Sequence, residues 1–494
     1  MKNFSATGFS VVASLISLLV WAPVQAETWE QDYATAESKL FQQQERLYEL
    51  ADQHGRYDMA LLDALQRLIH SQMEASRFEA AAENVDYAIQ IVRFNEGLET
   101  PRQYDLQQLA VEVDLYRQDW PAIQERLEHY SSLLAADFRG SSEELLERLL
   151  WLSGIYKRGS IEDAEENHAY HLIRSTWYAE TAVIYAQIEN LDNSRFYADM
   201  LYSLADNYFM EARAILAGGA TSYRLRQLRP GLHLVDDKQE AVARRYRAGL
   251  SQLRQLRGLL SDTAQFDAEA RALAEFHIAD WHALFDADSD LNAVYGKAIA
   301  LLEQAEVNEA KRRQFLSQAA AIPRARLTLS VEEALTANSY GDRRQASDSM
   351  LQRLSLIEPA SHFSGYSQDL ELVNWRGAIE RDWVRLSVTV TIDPHKKNTV
   401  RNGGIRTRSL VTASEITLSE SEAGQTLTRR ALRRLGTISF RPAFSEQQAI
   451  SSELAVDYLV RGNSLPSRTP MVREPWELSF QAPVRATSLA AAGE

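Results

Sequence analysis

The chain reads as mainly α, an array of helical hairpins followed by a small α+β layer, and three observations predict this. Residues 27 to 309 are rich in Ala, Leu, Gln, Glu and Arg, with few prolines and apolar residues at helical spacing. The segment Val384–Asp393 then reads V-R-L-S-V-T-V-T-I-D, apolar at every even position and polar at every odd one. That period of two describes a strand with one buried and one wet face. A second alternating run, Leu454, Val456, Tyr458 and Val460 among Glu453, Asp457 and Arg461, closes the same region.

The first element is the N-terminal stretch 1–26. Lys2 is its one charge, an apolar run spans Phe9 to Trp21, and Val24-Gln25-Ala26 sets small residues where a signal peptidase reads them. The run is about a dozen residues, short of the roughly twenty that span a bilayer as a helix. The expectation is a cleaved secretory signal and a mature chain from Glu27 with no stable membrane span; a retained anchor is the competing reading. With 0 cysteines, stability outside the cytoplasm rests on buried apolar area, and 494 residues at 45% hydrophobic supply it for two or more domains. Thiol chemistry is excluded. The formal charge of -15 argues against nucleic acid as a partner, and removing Lys2 takes it to -16. Between Val384 and Arg461 basic residues outnumber acidic ones, so the acidity belongs to the helical part.

Met59–Ile91 shows the hairpin logic. Leu61, Leu65, Leu68 and Ile69 form one apolar stripe, a turn follows near Ala75–Arg77, and Phe78, Ala81, Val85 and Ala88 form the next. Trp120, Ile123, Leu127 and Tyr130 supply a second copy, and Leu150 with Gly154 suits the first helix of a third pair. Tyr178, Ala182, Tyr185, Leu191, Ala198 and Leu201 make a fourth candidate, and Phe276, Ala279, Leu291, Tyr295 and Ala298 a fifth. This alternation of small and bulky positions resembles the tetratricopeptide repeat. An irregular all-helical domain is the other reading. In either case each hairpin exposes an apolar face that a neighbour covers, and the resemblance implies a concave surface that binds protein segments.

Two loops punctuate the helices. Ala217-Gly218-Gly219-Ala220 is a glycine terminator, and Arg229-Pro230-Gly231 ends the next segment. Arg244, Arg245, Arg247, Arg254 and Arg257 fall on an expected helix from Asp237 to Leu260 and read as a solvated face, with an anion-binding stripe as the minor account.

After a connector comes the opening strand, then a polar turn over Pro394–Gly404 and a second strand over Ile405–Thr412. Ser419–Leu435 reads as a helix with Leu427, Ala431, Leu432 and Leu435 on one face and Arg429, Arg430, Arg433 and Arg434 on the other. Ile438–Phe444 is a short strand stopped by Pro442, and Leu454–Val460 is the last strand. The residues Ile392-Asp393, Ser409 to Ser414, Ala431-Leu432-Arg433-Arg434 and Phe440-Arg441-Pro442-Ala443, in that order, resemble the C-terminal domain of the TonB family. The resemblance covers 384–461. It implies a module that binds an extended segment of an envelope or outer-membrane protein by adding it to a sheet edge.

On that basis the partner-binding candidates are Leu454, Val456, Tyr458 and Val460 on the expected edge strand, and Arg429, Arg430, Arg433 and Arg434 on the helix. A TonB transducer also keeps a membrane helix and a Pro-rich spacer, which this chain lacks if residues 1–26 are removed. The expected layout is a signal over 1–26, helical repeats over 27–325, a connector over 326–383, the TonB-like module over 384–463 and a flexible tail over 464–494.

No Gly-rich phosphate loop, nucleophile elbow or His-Glu-x-x-His string occurs. Glu166, His168 and His171 are the best metal set the sequence offers, and surface histidines beside a loop are the commoner account of such a pair. His277 and His282 do not share a helical face, and Asp286 and Asp288 read as helix terminators. No catalytic, cofactor-binding or metal-binding residue is assigned. The expected function is a non-enzymatic, periplasmic protein-binding scaffold of a Gram-negative envelope. Participation in energised outer-membrane transport and an enzyme site in the helical concavity are the alternatives.

Overall fold

The structure is a computed structural model. It describes residues 38–337 except 76, 139, 193, 230, 234, 288, 289 and 325, together with 353–357, 383–392, 394 and 438–461. The signal-like stretch, the expected second strand at 405–412, the helix at 419–435 and the tail lie outside the described residues. The described chain is mainly helical, as its periodicity predicts. It divides into two compact units, one containing residues up to Arg139 and the other running from Gly140 to Gln481.

In the first unit, α1 covers 38–54, followed by α2 (Leu62–Glu74), α3 (Phe78–Glu96), α4 (Gln103–Arg117) and α5 (Trp120–Asp137). From α2 onward each helix packs on the next in sequence, which is the hairpin logic read from the stripes. Leu61, Leu65 and Ile69 meet Ala81, Val85 and Ala88 in one core with Leu106, Ala110 and Val113. Small residues at 81 and 88 let the backbones approach, so their missing side-chain volume is used rather than wasted. Trp120, Ile123, Leu127 and Tyr130 are all buried along α5. Asp119 caps that helix by accepting from the Ala122 N–H, and Pro121 fills its first turn, where its missing N–H leaves no helical bond unmade. Buried Asp114 on α4 ties α5 in place, accepting from Arg126 at 2.6 Å and from Arg117 at 2.7 Å.

The second unit opens with α6 (Ser142–Glu162), α7 (His168–Ile188), α8 (Arg195–Ala217), α9 (Gly219–Leu228) and α10 (Lys238–Asp262). It continues with α11 (Ala268–Phe285), α12 (Leu291–Gln304), α13 (Glu309–Ser317) and α14 (Val331–Ala337). Ser141, Ser194, Asp237, Asp267, Asp290 and Asn308 each cap the helix that follows by accepting a first-turn N–H. Gly218, at φ +83°, ends α8 and starts α9, so the glycine terminator acts as expected. The fourth and fifth candidate repeats become the α7–α8 and α11–α12 pairs, with Tyr178, Ala182, Ala198, Leu201, Phe276, Ala279, Tyr295 and Ala298 buried.

The third candidate pair is α6–α7, with Leu150 and Gly154 on its first helix as expected, but Gly154 is not the residue that brings the two helices together. Gly154 is exposed, and a Cβ there would meet nothing within 4 Å. The glycine that brings α6 against α7 is Gly159, whose added Cβ would lie 2.6 Å from the His171 ring.

Among the described residues, strands complete the unit. They are β1 (Ala320–Ile322), β2 (Arg353–Ile357), β3 (Trp383–Ile392), β4 (Ser439–Arg441), β5 (Ala443–Ser445), β6 (Gln448–Ile450) and β7 (Ser452–Arg461). β3 and β7 are the two alternating runs, and they pair antiparallel from Trp383↔Arg461 to Ile392↔Ser452. β2, which falls in the segment expected as a connector, pairs parallel to β7. β1 pairs with β4, and β5 with β6, as two further two-stranded ladders. Pro442 separates β4 from β5, consistent with its inability to donate to a ladder.

Candidate functional site

The expected binding edge lies in the three-stranded sheet, whose order is β2-β7-β3, so β7 is its middle strand. Residues Ala455–Leu459 pair with β2 on one side and with β3 on the other. The expectation that Leu454, Val456, Tyr458 and Val460 form a free edge is therefore corrected. The cause is the short run Arg353-Leu354-Ser355-Leu356-Ile357, which covers that side of β7 with main-chain bonds. The outer strands are β2 and β3, and among the described residues no strand pairs the far side of either. Arg429, Arg430, Arg433 and Arg434 lie outside the described residues.

The Phe440-Arg441-Pro442-Ala443 step is built into the helical body. β4 lies against β1 and α11, and β5 packs on α13. Phe444 sits 5.0 Å from Tyr295 between ring centroids, within a core that also holds Phe276, Ala298, Phe315 and Ala334. The Arg441 guanidinium lies over the Phe315 ring at 4.5 Å and the Phe276 ring at 5.2 Å. Asp280 is its acidic neighbour, with Oδ2 3.8 Å from Arg441 Nη1, while Oδ1 accepts from the Tyr295 hydroxyl at 2.8 Å.

The histidine pair on α7 is buried, which corrects the surface reading. Both rings turn to Asp163 at the end of α6. His171 Nε2 lies 2.7 Å from Asp163 Oδ2, and His168 Nε2 lies 2.9 Å from the Asp163 carbonyl. Burial works to raise the Asp163 carboxyl, but hydrogen bonds from His171, Ala164 and Asn167 outweigh it and hold it below its usual range. The cluster fastens the α6–α7 corner, with Tyr156 and Tyr170 packed edge-on beside it at 5.8 Å. Among the described residues no group of His, Cys, Asp or Glu side chains is placed to hold a metal ion. Asp286 terminates α11 with a left-handed backbone at φ 49°, as expected of it.

The basic run on α10 divides. Arg244 and Arg247 pair with Glu240 at the surface. Arg245 is buried and does not belong to a solvated face. Its Nη1 donates to Glu211 Oε2 at 3.1 Å, while Glu211 Oε1 accepts from the Thr176 hydroxyl at 2.7 Å and forms an ion pair with Arg229, whose Nε lies 3.1 Å away. Arg229 also bonds Glu180, which accepts from the Tyr208 hydroxyl at 2.8 Å. Two carboxylates thus balance two guanidiniums across α7, α8 and α10. Sequence reasoning missed this network because a single Glu on an apolar helix face carries no spacing signal; the buried partners come from distant segments.

An exposed aromatic patch marks the first unit. Phe94 and Leu98 are 74% and 68% exposed, and the Tyr57 ring lies tilted against Phe94 at 5.4 Å between centroids. Tyr87 meets Tyr57 edge-on at 6.4 Å. Contiguous apolar exposure of this kind marks contact surfaces more often than scattered single residues do.

Comparison with protein-family models and with curated proteins finds no match. Among the described residues no helix is long and apolar enough to cross a membrane.

Proposed function

We propose that this chain is a non-enzymatic protein-binding scaffold of the periplasm. Its helical hairpins carry a small TonB-like module, and that module takes an extended segment of an envelope protein onto its sheet. The observation that carries this reading is the outer strand β3. It is ten residues long, and its far side has no partner among the described residues. An open strand of that length offers a row of main-chain donors and acceptors to an incoming peptide. The residue order shared with the TonB C-terminal domain supports the same role, and the exposed patch around Tyr57 and Phe94 supports a second protein contact. Export rests on the signal-like residues 1–26.

Proline substitution tests the strand. In an antiparallel ladder neighbouring residues point their N–H groups to opposite sides. Proline at Ser387 and proline at Val388 therefore separate the outer side of β3 from the side bonded to β7. In a pull-down from envelope extract with the full chain, one of the two folded variants is expected to lose its partner. Retention of the same partner by both would count against strand addition at β3. N-terminal sequencing of the mature protein separates this scaffold from an anchored component of energised transport, which requires residues 9–21 to remain.

A further inference from the structure

The C-terminal half of the basic run on α10 has no acid of its own. Arg244 and Arg247 share Glu240 on the same helix. Arg254 is exposed and has no ion-pair partner among the described residues. Arg257, three residues on and so beside it on the helix surface, reaches across to Glu275 of α11. Lys297 of α12 comes to the same carboxylate oxygen. Glu275 Oε1 lies 2.9 Å from Lys297 Nζ and 3.5 Å from Arg257 Nη1.

The three side chains differ in depth. That of Glu275 is 10% exposed, whereas those of Arg257 and Lys297 are 41% and 58% exposed. One sunken carboxylate thus holds two cations that still face water. α11 packs on both α10 and α12, so the three helices share this surface. Little covers it. Ala293 and Ala300 lie a turn to either side of Lys297, and Ser261, a turn after Arg257, bonds back to the Arg257 carbonyl at 2.9 Å.

The charges here do not balance. Residues 248–261 of α10 carry Arg254 and Arg257 alone, and residues 291–302 of α12 carry Lys297 alone. Residues 272–279 of α11 carry Glu275, and His277 among them is buried and adds no charge near neutral pH. Three cations therefore stand against one carboxylate, on a chain whose formal charge is -15. A long polyanion meets repulsion from the whole chain. A short acidic segment feels chiefly this face, because screening limits the reach of exposed charges to about 8 Å at physiological salt.

We propose that this face of α10, α11 and α12 docks an acidic protein segment, whose carboxylates lie outside Glu275 against Arg254, Arg257 and Lys297. A carboxylate is the anion that Arg257 and Lys297 already hold. Arg257 donates to Glu275 through Nη1, which leaves the remainder of its planar fork to take a second carboxylate. The contact lies on the helices and is independent of peptide addition at β3.

Fluorescence anisotropy with the full chain tests the surface, using a labelled peptide of alternating Glu and Ser beside its counterpart with Gln for Glu. The Glu peptide is expected to bind saturably and to weaken as salt is added, and the Gln peptide not to bind. Arg257→Gln and Lys297→Gln are each expected to weaken binding about threefold, and the two together about tenfold, within the range of exposed charge pairs. Arg244→Gln with Arg247→Gln makes the same change in net charge on the half that Glu240 balances, and is expected to leave binding nearly unchanged. Carbodiimide coupling of the Glu peptide to the wild-type chain, mapped by mass spectrometry, is expected to mark Lys297 and needs no variant to fold. No saturable binding of the Glu peptide, an equal loss in the Arg244 and Arg247 double variant, or coupling only at other lysines would overturn the assignment. Binding to phosphatidylglycerol vesicles without binding to the peptide would overturn it too, in favour of a lipid surface.

Discussion

Gly154 and Gly159 lie on the same helix, α6, in opposite surroundings. A Cβ at 154 enters open space, whereas one at 159 lies 2.6 Å from the His171 ring, which Asp163 holds fixed. Alanine should therefore act with opposite signs. Gly154→Ala is expected to stabilise by about 0.5–1 kcal/mol, the usual helical cost of glycine. Gly159→Ala is expected to destabilise by about 1–3 kcal/mol through overpacking. Denaturant midpoints of the two variants decide it, and equal shifts would contradict the packing described.

His277 gives the residue scale a pH signature. Burial, followed by the nearby Arg324, Arg441 and Arg195, pushes its imidazole down to about 3 from an ordinary 6.5. Between those values the unfolded chain binds a proton that the folded chain refuses. Stability attributable to this group falls as pH drops from 6.5 towards 3, by at most about 1.4 kcal/mol per pH unit. Asp280, raised by burial, works in the opposite sense, so the informative comparison is wild type against His277→Gln. The variant is expected to lose less stability on acidification over that range; identical slopes would show that His277 does not titrate this way.

At the scale of elements, the sheet order changes what a fragment can do. A piece spanning 384–461 keeps β3 and β7 but omits β2, leaving one side of Ala455–Leu459 unpaired. Exposed edges of this kind pair with one another. Such a fragment is expected to self-associate in sedimentation experiments, and one beginning at Arg353 to do so markedly less. A monomeric short fragment would indicate that β2 is dispensable to β7.

The same sheet shows what was legible in the sequence. Strands β3 and β7 were readable because strict alternation along most of a ten-residue run suits a half-buried strand and fits no helical face. β2 was not, because its five residues offer only Leu354 and Leu356 as apolar alternation before Ile357, and parallel pairing with a distant strand leaves no local mark. The misplaced free edge follows directly, since strand order depends on every strand being counted. The helices were easier. Stripes such as Leu61, Leu65 and Ile69 facing Ala81, Val85 and Ala88 predict their own partners across a short turn.

At the scale of the whole molecule, apolar periodicity accounts for the mainly helical chain, while its polar interior comes from residues far apart in sequence. Arg245 shares a helix with surface arginines yet is buried on Glu211, and Arg441 ends a short strand yet packs into the helical core. The Phe440–Ala443 step is thus a joint between the C-terminal strands and the helices of the second unit. A protein-binding scaffold that takes a peptide on β3 would place its partner on a sheet whose flanking strands are fixed in this way.

Strand addition at β3 is tested most directly by photo-crosslinking in intact cells, with the reactive group placed in turn along Trp383–Ile392 of the full chain. An added strand predicts crosslinks to one envelope protein, recurring at alternate positions. Crosslinks confined to the chain itself, or to a partner reached only from the helices, would contradict it.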